Sequence, residues 1–273
     1  MNIDEKLKKL NEYMRDNDGA AVAFSGGVDS TFLLKAEHDL LGDRIAAITI
    51  RSRLIPEREL SEAVDFCQSE GINQIFLDFE PFDTEDFAEN PQNRCYICKK
   101  ACFSGLIELA AQHGFSQIGD GTKIDDEGDY RPGMKASEEL GVKSPLRETG
   151  MSKSDIRLLS ERLGLKTWNK PSFACLASRF RYGERITAEK LEMVEKAEQL
   201  LFDMGFHQFR ARIQGLDARI EVSDGEIDML MKKRGEILSE FEKYGFEHVS
   251  ADLRGYRTSV GEAPAGSVTP NVK

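Results

Sequence analysis

The first stretch able to do chemistry is Ser25-Gly26-Gly27-Val28-Asp29-Ser30-Thr31. It stands between a short apolar run, AAVAF at 20–24, and a helical pattern, TFLLKAEHDLL. Paired glycines let a backbone turn tightly and bring its N–H groups against an anion, and the start of a helix adds the positive end of its dipole. Ser25, Ser30 and Thr31 add hydroxyl donors. The stretch is neither the GxxxxGK[ST] of a Walker loop nor the GxGxxG of a dinucleotide site. Its expected task is to hold a phosphate chain.

Thiols form the second group. Cys95 and Cys98 stand three residues apart in NRCYICKK, and Cys175 lies far along the chain in PSFACLASRF. Two thiols at that spacing can share one metal or cluster. A structural zinc would want a fourth good ligand, and His38, His113, His207 and His248 show no zinc-type spacing. Three thiolates on a [4Fe-4S] cluster leave one iron open for a sulfide or a substrate. Cys98 and Cys102 are four residues apart and could share a helix face, so Cys95, Cys98 and Cys102 are an alternative ligand set, although packing is the plainer role for Cys102. Cys67, within an amphipathic pattern, reads as a packing residue.

Charged candidates complete the set. Arg210 and Arg212 alternate along FRARI and project from one face of a strand, about 7 Å apart, a pairing that suits a phosphate. Arg179, beside Ser178 in the Cys175 stretch, is another anion ligand, and Lys99 after the CxxC could face pyrophosphate or a sulfide. Asp120 ends the strand pattern FSQIG, where ligands bind in open α/β sheets; Asp126 is a weaker candidate for the same contacts.

The elements that must position these residues are legible from periodicity. Ile3, Leu7, Leu10 and Met14 have helical spacing; AAVAF, IAAITI (45–50), QIFLDF (74–79) and FSQIGDG (115–121) read as buried strands alternating with helices such as ELSEAVDFCQSEG (59–71). That alternation predicts a doubly wound, mostly parallel α/β sheet. From about 120 to 183 the chain reads as loop-rich, with one helix, SKSDIRLLSERLG, capped by Ser152 and Asp155. Beyond Gly183 a helix–strand–strand–helix–strand pattern follows. The expected division is therefore 1–183 for the phosphate-binding domain, 184–260 for a small α+β domain serving substrate or oligomerisation, and 261–273 for a disordered tail.

Composition narrows the class. The 273 residues carry a formal net charge of -11, with a pI near 5.1 and five cysteines. Such a balance gives no electrostatic help toward a polyanion, so a nucleic-acid partner is not expected. The start, MNIDEKLKKL, has no apolar run, nothing approaches a membrane span, and thiols read as ligands or catalysts in a reducing compartment. The expectation is a cytoplasmic protein with no membrane partner.

SGGVDS resembles the SGGxDS motif of PP-loop ATP pyrophosphatases, which implies that Ser25, Gly26, Gly27, Ser30 and Thr31 grip the pyrophosphate of ATP and that Asp29 helps hold phosphate and Mg²⁺. SGGVDST, GDGTKIDDEGDYRPGMKA (119–136), TWNKPSFACLASRFRYGERIT (167–187) and DLRGYR (252–257) together resemble the LarE family, over nearly the whole chain. Those are PP-loop sulfur transferases that make the precursor of the nickel-pincer nucleotide of lactate racemase. The resemblance implies adenylation of the carboxylates of pyridinium-3,5-biscarboxylic acid mononucleotide and their conversion to thiocarboxylates. It further implies a [4Fe-4S] cluster on cysteines resembling Cys95, Cys98 and Cys175, a phosphate site at Arg210 and Arg212, and a homo-oligomer. Other members give up the sulfur of a single cysteine. Three rivals share some features: a tRNA-thiolating PP-loop enzyme, disfavoured by the acidic charge; an amidating synthetase, for which no ammonia-supplying domain is visible; and an ATP-binding sensor with structural zinc.

Overall fold

A computed structural model describes residues 2–16, 19–127 and 132–257. The tail expected at 261–273 lies outside the described residues. The chain divides into two units, Met1–Thr84 with Cys95–Phe173, and Glu85–Arg94 with the residues from Ala174 onward.

The first unit opens with α1 (Ile3–Asp16), β1 (Ala20–Ala23), α2 (Val28–Leu41), β2 (Ala46–Arg51), α3 (Glu57–Glu70) and β3 (Gln74–Asp78). It continues with α4 (Arg94–Gln112), β4 (Gln117–Gly119), α5 (Pro132–Glu139), α6 (Pro145–Glu148) and α7 (Lys153–Arg162). The four strands form one parallel sheet in the order β3-β2-β1-β4, with Ala21 paired to both Ala46 and Ile118. Strand side chains alternate between faces, and both faces here are covered. Val22, Phe24 and Ala47 pack into one cluster with Leu10, Phe32 and Ile156; Ala21, Ile48 and Ile118 pack into the other with Phe103 and Leu106. That is the doubly wound α/β fold the apolar runs predicted. The order reverses between β1 and β4, and such a switch point opens a crevice at the carboxyl ends of the two strands.

Two features of this unit exceed the expectation. α4 is a 19-residue helix carrying both CxxC thiols; cysteine, serine and glycine are indifferent helix formers and blur its period. The segment read as loop-rich holds α5 and α6 besides α7, each beginning at a proline, the residue suited to the first helical position. The Ser152 cap of α7 is reciprocated by Asp155 as anticipated.

In the second unit α8 (Ala188–Asp203), β5 (Phe209–Gln214), β6 (Asp217–Val222), α9 (Ile227–Tyr244) and β7 (His248–Ala251) follow the anticipated order. Its sheet runs β5-β6-β7, antiparallel then parallel. The unit begins at Ala174, ahead of the boundary expected at 184, because the preceding residues are fastened to it. Phe180 bridges Ile213, and Gly183 and Ile186 donate backbone bonds to Asn90 and Ala88. Among the described residues no helix is long and apolar enough to cross a membrane.

Candidate functional site

The phosphate loop sits where the switch point requires, between β1 and α2. Gly26 has φ +69°, a region other residues rarely adopt, and a side chain there would meet the Ala63 Cβ of α3 at 3.1 Å. Gly27 caps α2 without a side-chain bond, so the first N–H groups of the helix have no helical partner. Ser25 is exposed and Asp29 half-exposed at the mouth. Ser30 turns inward: its hydroxyl lies 3.0 Å from that of Ser25 and donates to the Gly27 carbonyl, holding the loop's shape. Thr31 is fully buried and its Oγ1 has no hydrogen-bond partner among the described residues, so it lies beneath the loop rather than at its mouth.

The chain after β4 closes on this loop. A side chain at Gly121 would stand 3.0 Å from the Ser30 nitrogen and 3.2 Å from Asp29, so glycine is what allows this backbone to lie against the helix start. Asp120 is buried and accepts from the Ser144 hydroxyl at 2.9 Å and the Thr122 N–H at 3.1 Å, while Lys99 of α4 approaches it at 3.6 Å. Asp120 and Lys99 are thus brought to the phosphate loop, as the strand-end argument anticipated. The structure adds two lysines that sequence reasoning passed over. Lys123 donates to Asp29 at 2.9 Å and to Asp126 at 3.3 Å. Lys170 pairs with Glu59 and Glu62 and donates to the Gly26 carbonyl at 3.3 Å. Both stand inside the stretches that carry the family resemblance, which was the available signal.

The cysteines separate by environment. Cys95 and Cys98 are half-buried in the first turns of α4, at a spacing that puts them on neighbouring helix positions. Cys102 is buried in the cluster with Ile48 and Phe103, which makes packing its role. Cys67 is buried in the opposite cluster, and burial pushes its thiol up to about 12. Cys175, half-buried, belongs to the second unit and immediately precedes a tight helical turn, Leu176–Arg179. Among the described residues no three His, Cys, Asp or Glu side chains are grouped to hold a metal ion.

The three arginines expected at a phosphate are all in the second unit and all buried. Arg179 makes a two-pronged pair with Glu198, at 2.5 and 2.9 Å, both residues inaccessible to solvent. Burial opposes its charge, yet Glu198 more than offsets this and holds the guanidinium above its usual value. Arg212 donates to buried Glu221 at 2.5 Å and to the Ser178 carbonyl at 3.1 Å. Arg210 differs. Its Nε is buried without a hydrogen-bond partner among the described residues, its Nη2 donates to Tyr256 at 3.2 Å, and burial followed by the charge of Arg179 lowers its affinity for the proton. A cavity of about 150 Å³ is lined by Arg179, Arg181, Arg212, Arg219, Gln214 and Ser250. So cationic a hollow is suited to an anion.

A parallel sheet with its switch point beside an SGGVDS loop, and with lysines and carboxylates gathered at the strand ends, defines an α/β nucleotide-binding protein of the PP-loop class. No family model matches the chain. It is 40% identical over 259 residues to an uncharacterized protein of Synechocystis sp., covering 94% of this chain and 96% of that one. It is 34% identical over 246 residues to the pyridinium-3,5-bisthiocarboxylic acid mononucleotide synthase of Lactiplantibacillus plantarum, covering 90% of this chain and 89% of that one. A more distant similarity, 24% over 213 residues, joins it to a glutamine-hydrolyzing GMP synthase of Pyrococcus furiosus, covering 73% of this chain and 67% of that one. The chain belongs to the LarE family of ATP-dependent sulfurtransferases.

Proposed function

We propose that the protein adenylates the carboxylates of pyridinium-3,5-biscarboxylic acid mononucleotide with ATP and converts them to thiocarboxylates, in nickel-pincer nucleotide biosynthesis. The observation that carries this reading is the full-length similarity to the bisthiocarboxylic acid mononucleotide synthase, together with a phosphate loop at the switch point.

The chemistry balances as two displacements. A substrate carboxylate oxygen attacks the α-phosphorus of ATP and pyrophosphate leaves; a sulfur nucleophile then attacks the acyl carbon and AMP departs with the former carboxylate oxygen. Ser25, the N–H groups at Gly27 to Ser30, and Lys99 bind the pyrophosphate, where preorganised donors stabilise developing charge without rearranging. Asp29 supplies an oxygen for Mg²⁺, a hard cation that favours carboxylate and phosphate ligands. Asp120, anchored by Ser144 and Thr122, orients Lys99.

Arg210 and Arg212 receive the phosphate of the mononucleotide. Arg210 is the better placed of the two because, among the described residues, it has no carboxylate partner and its buried Nε makes no bond. Arg179, tied to Glu198, fixes the turn after Cys175 and supports the same pocket.

A [4Fe-4S] cluster fits the donor chemistry of Cys95, Cys98 and Cys175, which are half-buried thiols, two of them at CxxC spacing on one helix turn. When bound, such a cluster would supply transferable sulfide, replenished by a donor still to be identified. The thiols suit the reducing cytoplasm. An exposed apolar stripe on α9, Ile227, Met231 and Leu238, supports assembly as a homo-oligomer. Iron and acid-labile sulfide assays on anaerobically prepared protein test the cluster. About four irons per chain, lost in Cys175→Ala, support it. A colourless protein that transfers sulfur once and loses the Cys175 sulfur overturns it.

A further inference from the structure

Each acidic group at the phosphate loop is held by an ammonium. Asp120 faces Lys99 at 3.6 Å, and Asp29 and Asp126 share Lys123. The second arrangement is the more constrained. Lys123 is 8% exposed, its Nζ reaches Asp29 Oδ2 at 2.9 Å and both oxygens of Asp126 at 3.3 Å, and its backbone N–H donates to Asp126 at 3.2 Å. Asp126 is therefore fixed on Lys123 at two points and is itself buried. Asp29 is held through one oxygen only. Its other oxygen, Oδ1, accepts nothing among the described residues, and its side chain keeps 29% of its surface open at the loop mouth.

We propose that Lys123 is a positioning residue for the metal–triphosphate pair, a built-in cation that turns Asp29 so that Oδ1 faces an incoming divalent ion and that offsets the two carboxylates against the nucleotide's phosphates. The inference rests on the reading of this loop as the ATP site. The physical case is one of sign. Two carboxylates beside a phosphate loop repel a triphosphate and attract a bare cation, and an ammonium between them reduces both effects. Lysine is suited to the task because its compact charge on a flexible stem can serve two acids at once. The close approach of Gly121 to Ser30 keeps the segment carrying Lys123 against α2, so the ammonium stands at the loop rather than in solvent.

Loss of the charge moves two affinities in opposite directions. Lys123→Met should bind ATP in the presence of Mg²⁺ at least about tenfold more weakly by calorimetry, a change of roughly 1.4 kcal/mol. The same variant without nucleotide should bind Mn²⁺ alone several-fold more tightly, read by its electron paramagnetic resonance signal. Lys123→Arg should keep the Mn²⁺ affinity within about twofold of the wild type, since the charge remains. If Lys123→Met does not fold, Lys123→Gln, which can still donate to Asp29 without a charge, takes its place with the same expected pair of shifts. Unchanged affinities, or a joint weakening of ATP and Mn²⁺ as local unfolding would give, overturn the inference while leaving the ATP site intact. Failure of the wild-type protein to bind ATP overturns the reading of the loop itself, and this inference with it.

Discussion

Glu37 is a carboxyl buried in the α2 side of the first unit, 3% exposed, with Oε2 lacking a hydrogen-bond partner among the described residues. Burial pushes its pKa from 4.5 to about 8. In the unfolded chain the group ionises near 4.5, so between those two values the folded protein holds a proton that the unfolded one has released. Stability from this group is then fully present below pH 4.5, falls as pH rises, and levels off above 8. At about 1.4 kcal/mol per pH unit, the loss across the window is of the order of 4 to 5 kcal/mol. Glu37→Gln keeps the shape and removes the titration. It should match the wild type near pH 5 and exceed it by several kcal/mol near pH 8. Urea unfolding at a series of pH values measures this directly, because the single tryptophan, Trp168, lies in the same unit and reports on it. A wild-type-minus-variant difference that stays constant from pH 5 to 8, or that changes in the opposite sense, would refute the reasoning.

Other outcomes follow from the packing at each site. Gly121→Ala places a methyl 3.0 Å from the Ser30 nitrogen and should raise the KM for ATP about tenfold or more, with little change in Tm; steady-state kinetics and a thermal melt together check it. Glu198→Gln leaves the buried guanidinium of Arg179 without its carboxylate and should cost about 3–5 kcal/mol in the second unit, read by chemical denaturation. Cys102→Ala should retain the iron content of the wild type at a cost of about 1 kcal/mol, whereas Cys95→Ala and Cys98→Ala should lose the iron.

Much of the molecule was legible because it follows simple periodicities. The apolar runs around Val22 and Ile48 could only be strands covered on both faces, and Gly42 and Gly71 stop the helices before them. The phosphate loop was legible for the same reason, since two glycines between a strand and a helix have few other uses. Asp120 was found by its place at a strand end. The lysines were not, because a lysine's role depends on what its long side chain reaches: Lys123 meets Asp29 across 94 positions of sequence and Lys170 meets Gly26 across 144. The buried partners of the arginines were hidden likewise. Glu198 and Glu221 sit in an ordinary helix and strand, and only the fold turns them toward Arg179 and Arg212.

The central claim is that ATP cleavage at this loop activates a carboxylate for sulfur transfer. The direct measurement is to incubate the anaerobic protein with ATP, Mg²⁺, a sulfide source and pyridinium-3,5-biscarboxylic acid mononucleotide, following pyrophosphate and AMP alongside the mass of the mononucleotide. The account predicts substrate-dependent release of both products, matched by exchange of carboxylate oxygen for sulfur and abolished in Asp29→Ala. ADP and phosphate in place of AMP and pyrophosphate, or AMP release with no sulfur in the mononucleotide, would contradict it.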